Sequence, residues 1–294
     1  MATYVIAGAT GHVGSVAAKE LLSRNQSVKI IVRDAAKASD LQNSGASIAA
    51  GSLDKADFLS QALAGADGAF LMLPPDNRKK GEGFNSAQRR TAESIAAGVS
   101  DSRIPYVVLL SSIGADLEKG TGPIQFLHFF ENKLRETGTK LAIIRAGSFQ
   151  ENIAAVVPAA VHAGIYPSFL PSLDASVPMI ATRDIGHLAA ELLLSPPENS
   201  EVIDLLGPAY SARDLCQKLS AALGKQLQLI DVPPERHVDT LVQAGIDREM
   251  AEIFAEMYAA IASGKLLPKG DRRATGDTSI DEVIPGLLPA RTSA

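Results

Sequence analysis

The chain has no tryptophan, a single cysteine and few aromatic residues, which make up 5% of its 294 residues. The cysteine, Cys216, cannot form an internal disulfide, and such sparse cysteine is typical of a reducing compartment, so we expect a cytoplasmic location. Cys216 lies at helical spacing from Leu219, which makes a small core residue a more natural interpretation than a reactive thiol.

An excess of positive charge and long apolar runs are also missing. The net charge is −5, which disfavours a nucleic-acid partner held by a basic surface. No apolar run reaches the length that a bilayer requires, and the chain starts with a strand pattern, so we expect neither a membrane span nor a signal peptide. The five histidines lack the i, i+4 spacing of helical zinc ligands, and no metal site is predicted.

The first 23 residues predict a strand, a glycine-rich turn and a helix, in that order. In the turn, Gly8 would permit a tight bend, Gly11 a close approach to phosphates, and Gly14 close packing of the helix on the strand. Backbone N–H groups and the positive helix end would then suit a pyrophosphate. The spacing GxxGxxG differs from the standard GxGxxG, so a turn without a ligand, with His12 at the surface, is the alternative. The predicted phosphate-binding residues here are Gly8, Thr10, Gly11, His12 and Val13.

A basic residue, Arg33, follows the second predicted strand and lies 19 residues beyond Gly14. A ribose-binding acid is usual at about this distance, whereas an arginine there accommodates a 2′-phosphate. Arg33, helped by Lys37, therefore favours NADPH over NAD as the cofactor. Two alternatives stay open: the neighbouring Asp34 could bind a ribose hydroxyl, or Arg33 could be a solvated residue at a strand end.

Strand and helix patterns alternate through the first half of the chain, which predicts an α/β fold with a doubly wound parallel (Rossmann) sheet. The predicted strands cover residues 3–7, 27–32, 46–50, 68–73, 105–110 and 141–145. Helices are predicted at 35–43 and, capped by Asp54, up to residue 63. The carboxyl ends of such strands share one edge, where ligands bind. Besides the glycine turn and Arg33, the cofactor-binding residues predicted at this edge are Ser52, Leu53, Leu73, Pro74, Ser111 and Phe149.

The character of the sequence changes after residue 152. Residues 153–181 combine four prolines with apolar residues and few charges, which predicts irregular, pocket-forming segments. This change of character predicts a boundary after residue 152, between a first domain at 1–152 and a second at 153–294. Residues 182–206, a helix capped by Thr182 and a seventh strand, are expected to return to the first sheet. A later apolar stripe is expected to be core or a subunit interface, which leaves a homodimer open; it comprises Met250, Ile253, Phe254, Met257 and Ile261.

Several segments, in this order and spacing, resemble the NmrA-like group of atypical short-chain dehydrogenase/reductases. They are residues 8–14 (GATGHVG), 32–34 (VRD), 111–115 (SSIGA), 131–134 (ENKL), 145–152 (RAGSFQEN) and 206–208 (LGP). The resemblance implies a Rossmann domain that binds NADP(H) at 1–152, with a small C-terminal α/β substrate domain at 153–294 over a cleft. Similar members include NADPH-dependent quinone, azo-dye and triphenylmethane-dye reductases, reductases of alkaloid biosynthesis, and co-regulators that bind the dinucleotide without known turnover.

The resemblance also implies a Tyr-x-x-x-Lys pair, but the tyrosine is missing here. Lys133 stands at the lysine position and is the predicted catalytic and cofactor-binding residue, with a solvated helix residue as the alternative. Phe129 stands at the tyrosine position, and a phenyl ring cannot donate a proton. Ser111 lies near the serine of the group, or else hydrogen-bonds locally at the strand end.

Hydride transfer to a quinone, an azo bond or a resonance-stabilised cation makes fewer demands on the protein, because the cofactor supplies the hydride. The hypothesis is therefore an NADPH-dependent reductase of a small, planar, electron-poor acceptor. The rival hypothesis is a redox-sensing protein that binds NADP(H) without turnover.

Overall fold

The computed structural model describes residues 1–75, 78 and 82–289 of the chain. Its main sheet has eight parallel strands in the order β13-β10-β6-β5-β4-β1-β2-β3. Numbered along the chain, they are β1 (Thr3–Ala7), β2 (Ser27–Val32), β3 (Ser47–Ala50), β4 (Gly68–Met72), β5 (Tyr106–Ser112), β6 (Lys140–Ala146), β10 (Glu201–Leu206) and β13 (Arg272–Thr275). The chain winds outward from β1 on one side and from β4 on the other, which confirms the predicted doubly wound fold.

Helices cover both faces of this sheet, and their apolar sides form two separate core layers. Numbered along the chain, with those of its second half included, the helices are α1 (His12–Ser23), α2 (Ser39–Asn43), α3 (Ala56–Leu63), α4 (Phe84–Ser102), α5 (Ile124–Glu136), α6 (Val157–Ala163), α7 (Thr182–Leu194), α8 (Ala212–Leu223), α9 (His237–Gln243), α10 (Arg248–Ala262) and α11 (Ile280–Leu287). Residues of α1 and α7 pack on one face. Residues of α3, α4 and α5 pack on the other. Because β5 is covered on both faces, residues such as Val108 are fully buried, which explains its continuous apolar run.

The second half of the chain adds two small sheets and a third apolar cluster. One sheet consists of β7 (Ser148–Phe149), β9 (Val177–Ile180) and β11 (Ala209–Tyr210), and the other of β8 (Ile165–Ser168) and β12 (Gln228–Asp231). Residues 226–232 alternate polar and apolar side chains, a pattern that predicts a peripheral strand, and β12 confirms it. Cys216 is 5% exposed and belongs to the third cluster, so its interpretation as a core residue is confirmed too. The division of the chain at residue 152 stays a prediction.

The expectation of irregular structure at 153–181 was wrong, because this stretch contains α6, β8 and β9. Its prolines stand where regular structure tolerates them. Pro158 is in the first turn of α6, where the missing N–H is not needed. Pro167 and Pro178 lie in strands of the small sheets, where few ladder bonds are lost.

Three local predictions also need correction. Residues 35–43 are not one helix, since a 3-10 segment at Ala35–Ala38 precedes α2. Asp54 does not cap α3; Lys55 holds the cap position, and the Asp54 carboxylate instead accepts a hydrogen bond of 2.6 Å from Arg90. Thr182 is the first residue of α7 and not its cap. Its backbone N–H donates to the Glu151 carboxylate at 3.0 Å.

Residues 182–206 form α7 and β10, and β10 pairs with β6 as expected. The eighth strand, β13, was not predicted. Within the described ranges, no helix combines the length and apolar character needed to cross a membrane.

Candidate functional site

The turn between β1 and α1 is tightly built around its glycines. Gly8 has a φ of +66°, a region that L side chains rarely adopt, and its carbonyl accepts a hydrogen bond from Gly11 N at 2.9 Å. A Cβ atom at Gly14 would lie 2.5 Å from the Gly8 carbonyl oxygen, so only glycine fits there. The predicted roles of Gly8 and Gly14 in the bend and in close packing therefore agree with the geometry.

The helix that follows this turn starts without a side-chain cap. Its cap position is Gly11, which has no capping hydrogen bond, and its first turn carries no acidic residue. Such a helix start keeps backbone N–H groups and a positive dipole end facing outward, as an anion site requires. Thr10, His12 and Val13 belong to this turn and helix start, with Thr10 and His12 exposed and Val13 buried; their contact with a phosphate stays a prediction.

Arg33 leaves the sheet beside this turn. Ala7 pairs with Ile31 in the parallel register of β1 and β2, so the turn and Arg33 follow neighbouring strand ends. The Asp34 carboxylate accepts a hydrogen bond of 3.0 Å from Ala36 N and caps the 3-10 segment. The Asp34 carboxylate, which was the alternative ligand for a ribose hydroxyl, is thus engaged in a local cap. Arg33 and Lys37 are exposed cations.

The loop after β4 is anchored against the same edge. The Met72 sulfur lies 3.4 Å from where a Cβ of Gly8 would be, so the end of β4 touches the turn. The buried Gln88 amide donates to the carbonyl oxygens of Pro74 at 3.0 Å and Pro75 at 3.3 Å. Leu73, one residue earlier, is buried.

An arginine that the sequence did not single out connects two loops at this edge. Arg90 of α4 donates to Asp54 at 2.6 Å and to Glu82 at 2.8 Å. The hydrogen bond with Glu82 is the largest cause of a raised Arg90 pKa. Since Asp54 follows Ser52 and Leu53, this clamp fixes the segment that carries these two predicted cofactor-binding residues.

Ser111 takes part in a buried ionic network. Its hydroxyl donates a hydrogen bond to Glu131 at 2.6 Å. The same carboxylate accepts hydrogen bonds from Arg145 at 2.7 Å and from Arg135 at 2.9 Å. Glu131 is only 1% exposed. The Ser111 proton therefore points toward α5, a geometry that matches hydrogen bonding at the strand end; a cofactor contact by Ser111 stays a prediction.

Lys133 lies on another side of α5, next to Phe129. Its ammonium nitrogen is 2.7 Å from Glu136 and 5.7 Å from the centre of the Phe129 ring. The Arg89 guanidinium approaches that ring from α4 at 4.5 Å. Because a crossover helix runs antiparallel to its strands, Glu136 lies farther from their carboxyl ends than Lys133 does. The role of Lys133 toward a cofactor stays a prediction. The same holds for Phe149, which is half-buried in β7.

A polar groove of about 830 Å³ lies elsewhere, between α7, β13 and the start of α11. Its charged lining includes Arg183, His187, Glu191, Arg272 and Glu282. None of the predicted site residues lines it, and its charges are of both signs.

Residues 2–282 match the model of the NmrA-like family. The chain belongs to the NmrA-like family. Among curated proteins, it is 27% identical over 258 residues to the NAD(P)H azoreductase of Xenophilus azovorans, covering 87% of this chain and 86% of that protein. This agrees with the family resemblance seen in the sequence motifs.

Two solved structures share the fold of this NmrA-like chain. One is the NADPH-dependent quinone oxidoreductase QOR2 of Escherichia coli in complex with NADPH, with a TM-score of 0.80, 20% identity and coverage of 97% of this chain and 99% of that one. The other is the triphenylmethane reductase of Citrobacter sp. in complex with NADP(H), with a TM-score of 0.75, 21% identity and coverage of 97% and 96%. At this identity, the likeness establishes a common fold.

Proposed function

We propose that this NmrA-like protein is an NADPH-dependent reductase that transfers a hydride to a small, planar, electron-poor acceptor of the quinone, azo or cationic-dye type. The observation that carries the cofactor assignment is the glycine turn beside two exposed cations, Arg33 and Lys37, with the nearby Asp34 carboxylate engaged in a cap. The azo, quinone and triphenylmethane reductases among its relatives support the reaction class.

Each predicted residue has a physical role in this proposal. The backbone N–H groups after Gly8 would hold the pyrophosphate, because the start of α1 has no side-chain cap to occupy them. Glycine at position 14 keeps the turn in this shape, since a side chain there would collide with the Gly8 carbonyl. Arg33 and Lys37 would pair with the 2′-phosphate through charge-assisted hydrogen bonds. Leu73, Pro74 and Phe149 would flank the nicotinamide and exclude water. NADPH, when bound, supplies the hydride.

The acceptor class follows from what stands at the usual tyrosine position. Phe129 carries no proton, and its ring lies beneath Arg89. Reduction of a simple ketone by the tyrosine mechanism is therefore disfavoured, whereas conjugated acceptors need mainly orientation and a dry site. Lys133 is proposed to touch the nicotinamide ribose, which requires its ammonium to leave Glu136. A homodimer and a cytoplasmic location stay predictions.

The same phenylalanine favours the second candidate, a protein that senses the redox state of NADP(H) without turnover. One experiment separates the two. Purified protein is given NADPH or NADH with a quinone, an azo dye or a cationic triphenylmethane dye, and consumption of the cofactor is followed. NADPH oxidation well above the protein-free blank for at least one acceptor supports the reductase. Tight NADPH binding with blank rates for all three contradicts it and supports the sensor.

A further inference from the structure

The chain has five tyrosines, and their hydroxyls fall into two groups. Tyr4 and Tyr106 lie at the amino ends of β1 and β5, away from the carboxyl edge, and the Tyr210 hydroxyl accepts a hydrogen bond of 3.0 Å from Ile280 N. The remaining two, Tyr166 and Tyr258, belong to the second half of the chain. No residue in the described part of the chain supplies a hydrogen-bond partner to either hydroxyl.

Tyr258 is held in a small aromatic cluster. Its ring stacks on Phe169 with 5.1 Å between centroids and 13° between planes. His237 meets both rings edge-on, at 5.6 Å from Tyr258 and 5.3 Å from Phe169. The histidine is itself fixed by a 2.9 Å hydrogen bond between Nε2 and the Val232 carbonyl. The Tyr258 ring is therefore oriented by two neighbours, while its hydroxyl forms no hydrogen bond with any residue that the structure describes.

Burial affects both of these phenols. Desolvation raises the pKa of Tyr258 above its usual value, so the hydroxyl keeps its proton at neutral pH. Desolvation also raises the pKa of Tyr166, with smaller contributions from Cys216 and Tyr258, which makes the two phenols electrostatic neighbours. Neither hydroxyl is among the fully buried side-chain atoms that lack a hydrogen-bond partner, so each can be reached by a ligand that accepts its hydrogen bond.

The helix that carries Tyr258 lies across the carboxyl edge of the main sheet. Near its start, Glu249 accepts a 2.8 Å hydrogen bond from Phe84 N, at the beginning of α4. One turn before Tyr258, the Ile253 carbonyl approaches Gly122, and a Cβ at Gly122 would lie 2.9 Å from the Met257 Cβ. Since α4 follows β4 and Gly122 lies between β5 and α5, the helix crosses the loops of both strands. Tyr258 adjoins Met257 and is thus on the part of α10 that covers this edge.

We propose that the ring cluster of Tyr258, Phe169 and His237 is the acceptor site, and that the Tyr258 hydroxyl donates a hydrogen bond and then its proton to an oxygen or nitrogen of the acceptor. The inference rests on the proposed reductase function and assigns, on α10, the proton donor that α5 lacks at Phe129. With a quinone, the Tyr258 O–H bond breaks and a hydroquinone O–H bond forms, while the hydride from NADPH brings both electrons. The phenolate then takes a proton from solvent.

This assignment distinguishes between classes of acceptor. A quinone or an azo bond needs one proton besides the hydride for reduction by two electrons. A triphenylmethane cation needs none, because the hydride adds to its central carbon and gives the neutral leuco form. Loss of the Tyr258 hydroxyl must therefore affect the first class and spare the second.

The test uses Tyr258→Phe with Tyr106→Phe as the matched control. The Tyr106 hydroxyl, unlike that of Tyr258, is fully buried; it has no hydrogen-bond partner among the described residues and lies at the opposite edge of the sheet. For Tyr258→Phe, we expect kcat with a quinone to fall by at least about a hundredfold, the low end of general-acid effects, and kcat with the cationic dye to stay within about twofold. The control should retain both rates. Equal losses for both acceptors, or no loss with the quinone, would overturn the proposal.

A binding measurement decides the proposal even if the protein turns over no acceptor. Calorimetric titration of the cofactor-free protein with the quinone should show an affinity that Tyr258→Phe lowers roughly threefold to tenfold, as expected for one lost hydrogen bond. Tyr106→Phe should bind the quinone like the wild type. If the wild type binds no quinone, or if Tyr258→Phe binds it equally well, the site is not here. Blank turnover with an intact Tyr258 effect on binding would refute the reductase function alone.

Discussion

A Cβ atom at Gly14 would lie 2.5 Å from the carbonyl oxygen of Gly8. The first turn of α1 is thus pressed against the bend that ends β1, and the bend is held by the Gly11–Gly8 hydrogen bond. On its other side, α1 packs equally closely on α7, where a Cβ at Gly186 would be 2.6 Å from Val16. The candidate phosphate site is therefore a rigid part of the fold.

Gly14→Ala should destabilise the protein and weaken NADPH binding. The added methyl group has no room, and overpacking of this kind lowers the free energy of unfolding by roughly 1–3 kcal/mol. Gly286→Ala is the matched control, since Gly286 also lies within a helix but has open space around its Cβ position. Urea denaturation compares the two variants, and equal stabilities would show that the turn tolerates a side chain.

Arg33→Gln should weaken NADPH binding and leave NADH binding unchanged. The loss of a charge-assisted pair with the 2′-phosphate corresponds to about 1.5–3 kcal/mol, or roughly tenfold to a hundredfold in Kd. Arg24→Gln removes another exposed arginine, which pairs with Glu20 on α1, and should leave both affinities unchanged. A parallel decrease for NADPH and NADH in Arg33→Gln would mean that Arg33 does not select the phosphorylated cofactor.

Glu131→Gln should destabilise the fold strongly. The variant leaves Arg145 buried without its carboxylate, and breaking a buried ion pair typically lowers the free energy of unfolding by about 3–5 kcal/mol. Glu136→Gln breaks the exposed pair with Lys133, for which a change of about 0–1 kcal/mol is expected. Similar urea midpoints for both variants would contradict the structural importance of the Glu131 network.

The proposed cofactor contact of Lys133 is tested by changing each member of its ion pair. Lys133→Met should weaken NADPH binding several-fold if the ammonium reaches the ribose. Glu136→Gln releases that ammonium from its 2.7 Å partner and should strengthen binding. Fluorescence titration with NADPH measures both effects. Unchanged affinity in both variants would identify Lys133 as a surface residue that pairs only with Glu136.

Local sequence signals predicted most of the main sheet. Strands β1 to β6 and β10 follow apolar runs that end at glycine, proline or polar residues, and their bounds agree with the structure within two residues. The edge strand β13 has the sequence RRAT and is largely exposed, so no apolar alternation marks it. It is a strand only because β10 offers it a partner.

Two of the predictions that failed, the caps of α3 and α7, depended on contacts between distant residues. Asp54 has the right chemistry for a helix cap, but Arg90, 36 residues away, binds its carboxylate. At the start of α7, the carboxylate of the distant Glu151 accepts a hydrogen bond from the backbone N–H of Thr182. Tyr258 had a weak local signal, because it continues the helical face of Phe254 four residues later; its stacking on Phe169 is visible only in three dimensions.

The central claim is that the glycine turn holds NADPH while Arg33 selects its 2′-phosphate, and a crystal structure with NADPH tests it most directly. The account predicts pyrophosphate oxygens about 3 Å from backbone nitrogens between Gly11 and Val13, and the 2′-phosphate at a similar distance from the Arg33 guanidinium. A dinucleotide bound outside the turn, or an Arg33 side chain directed away from the adenosine ribose, would contradict it.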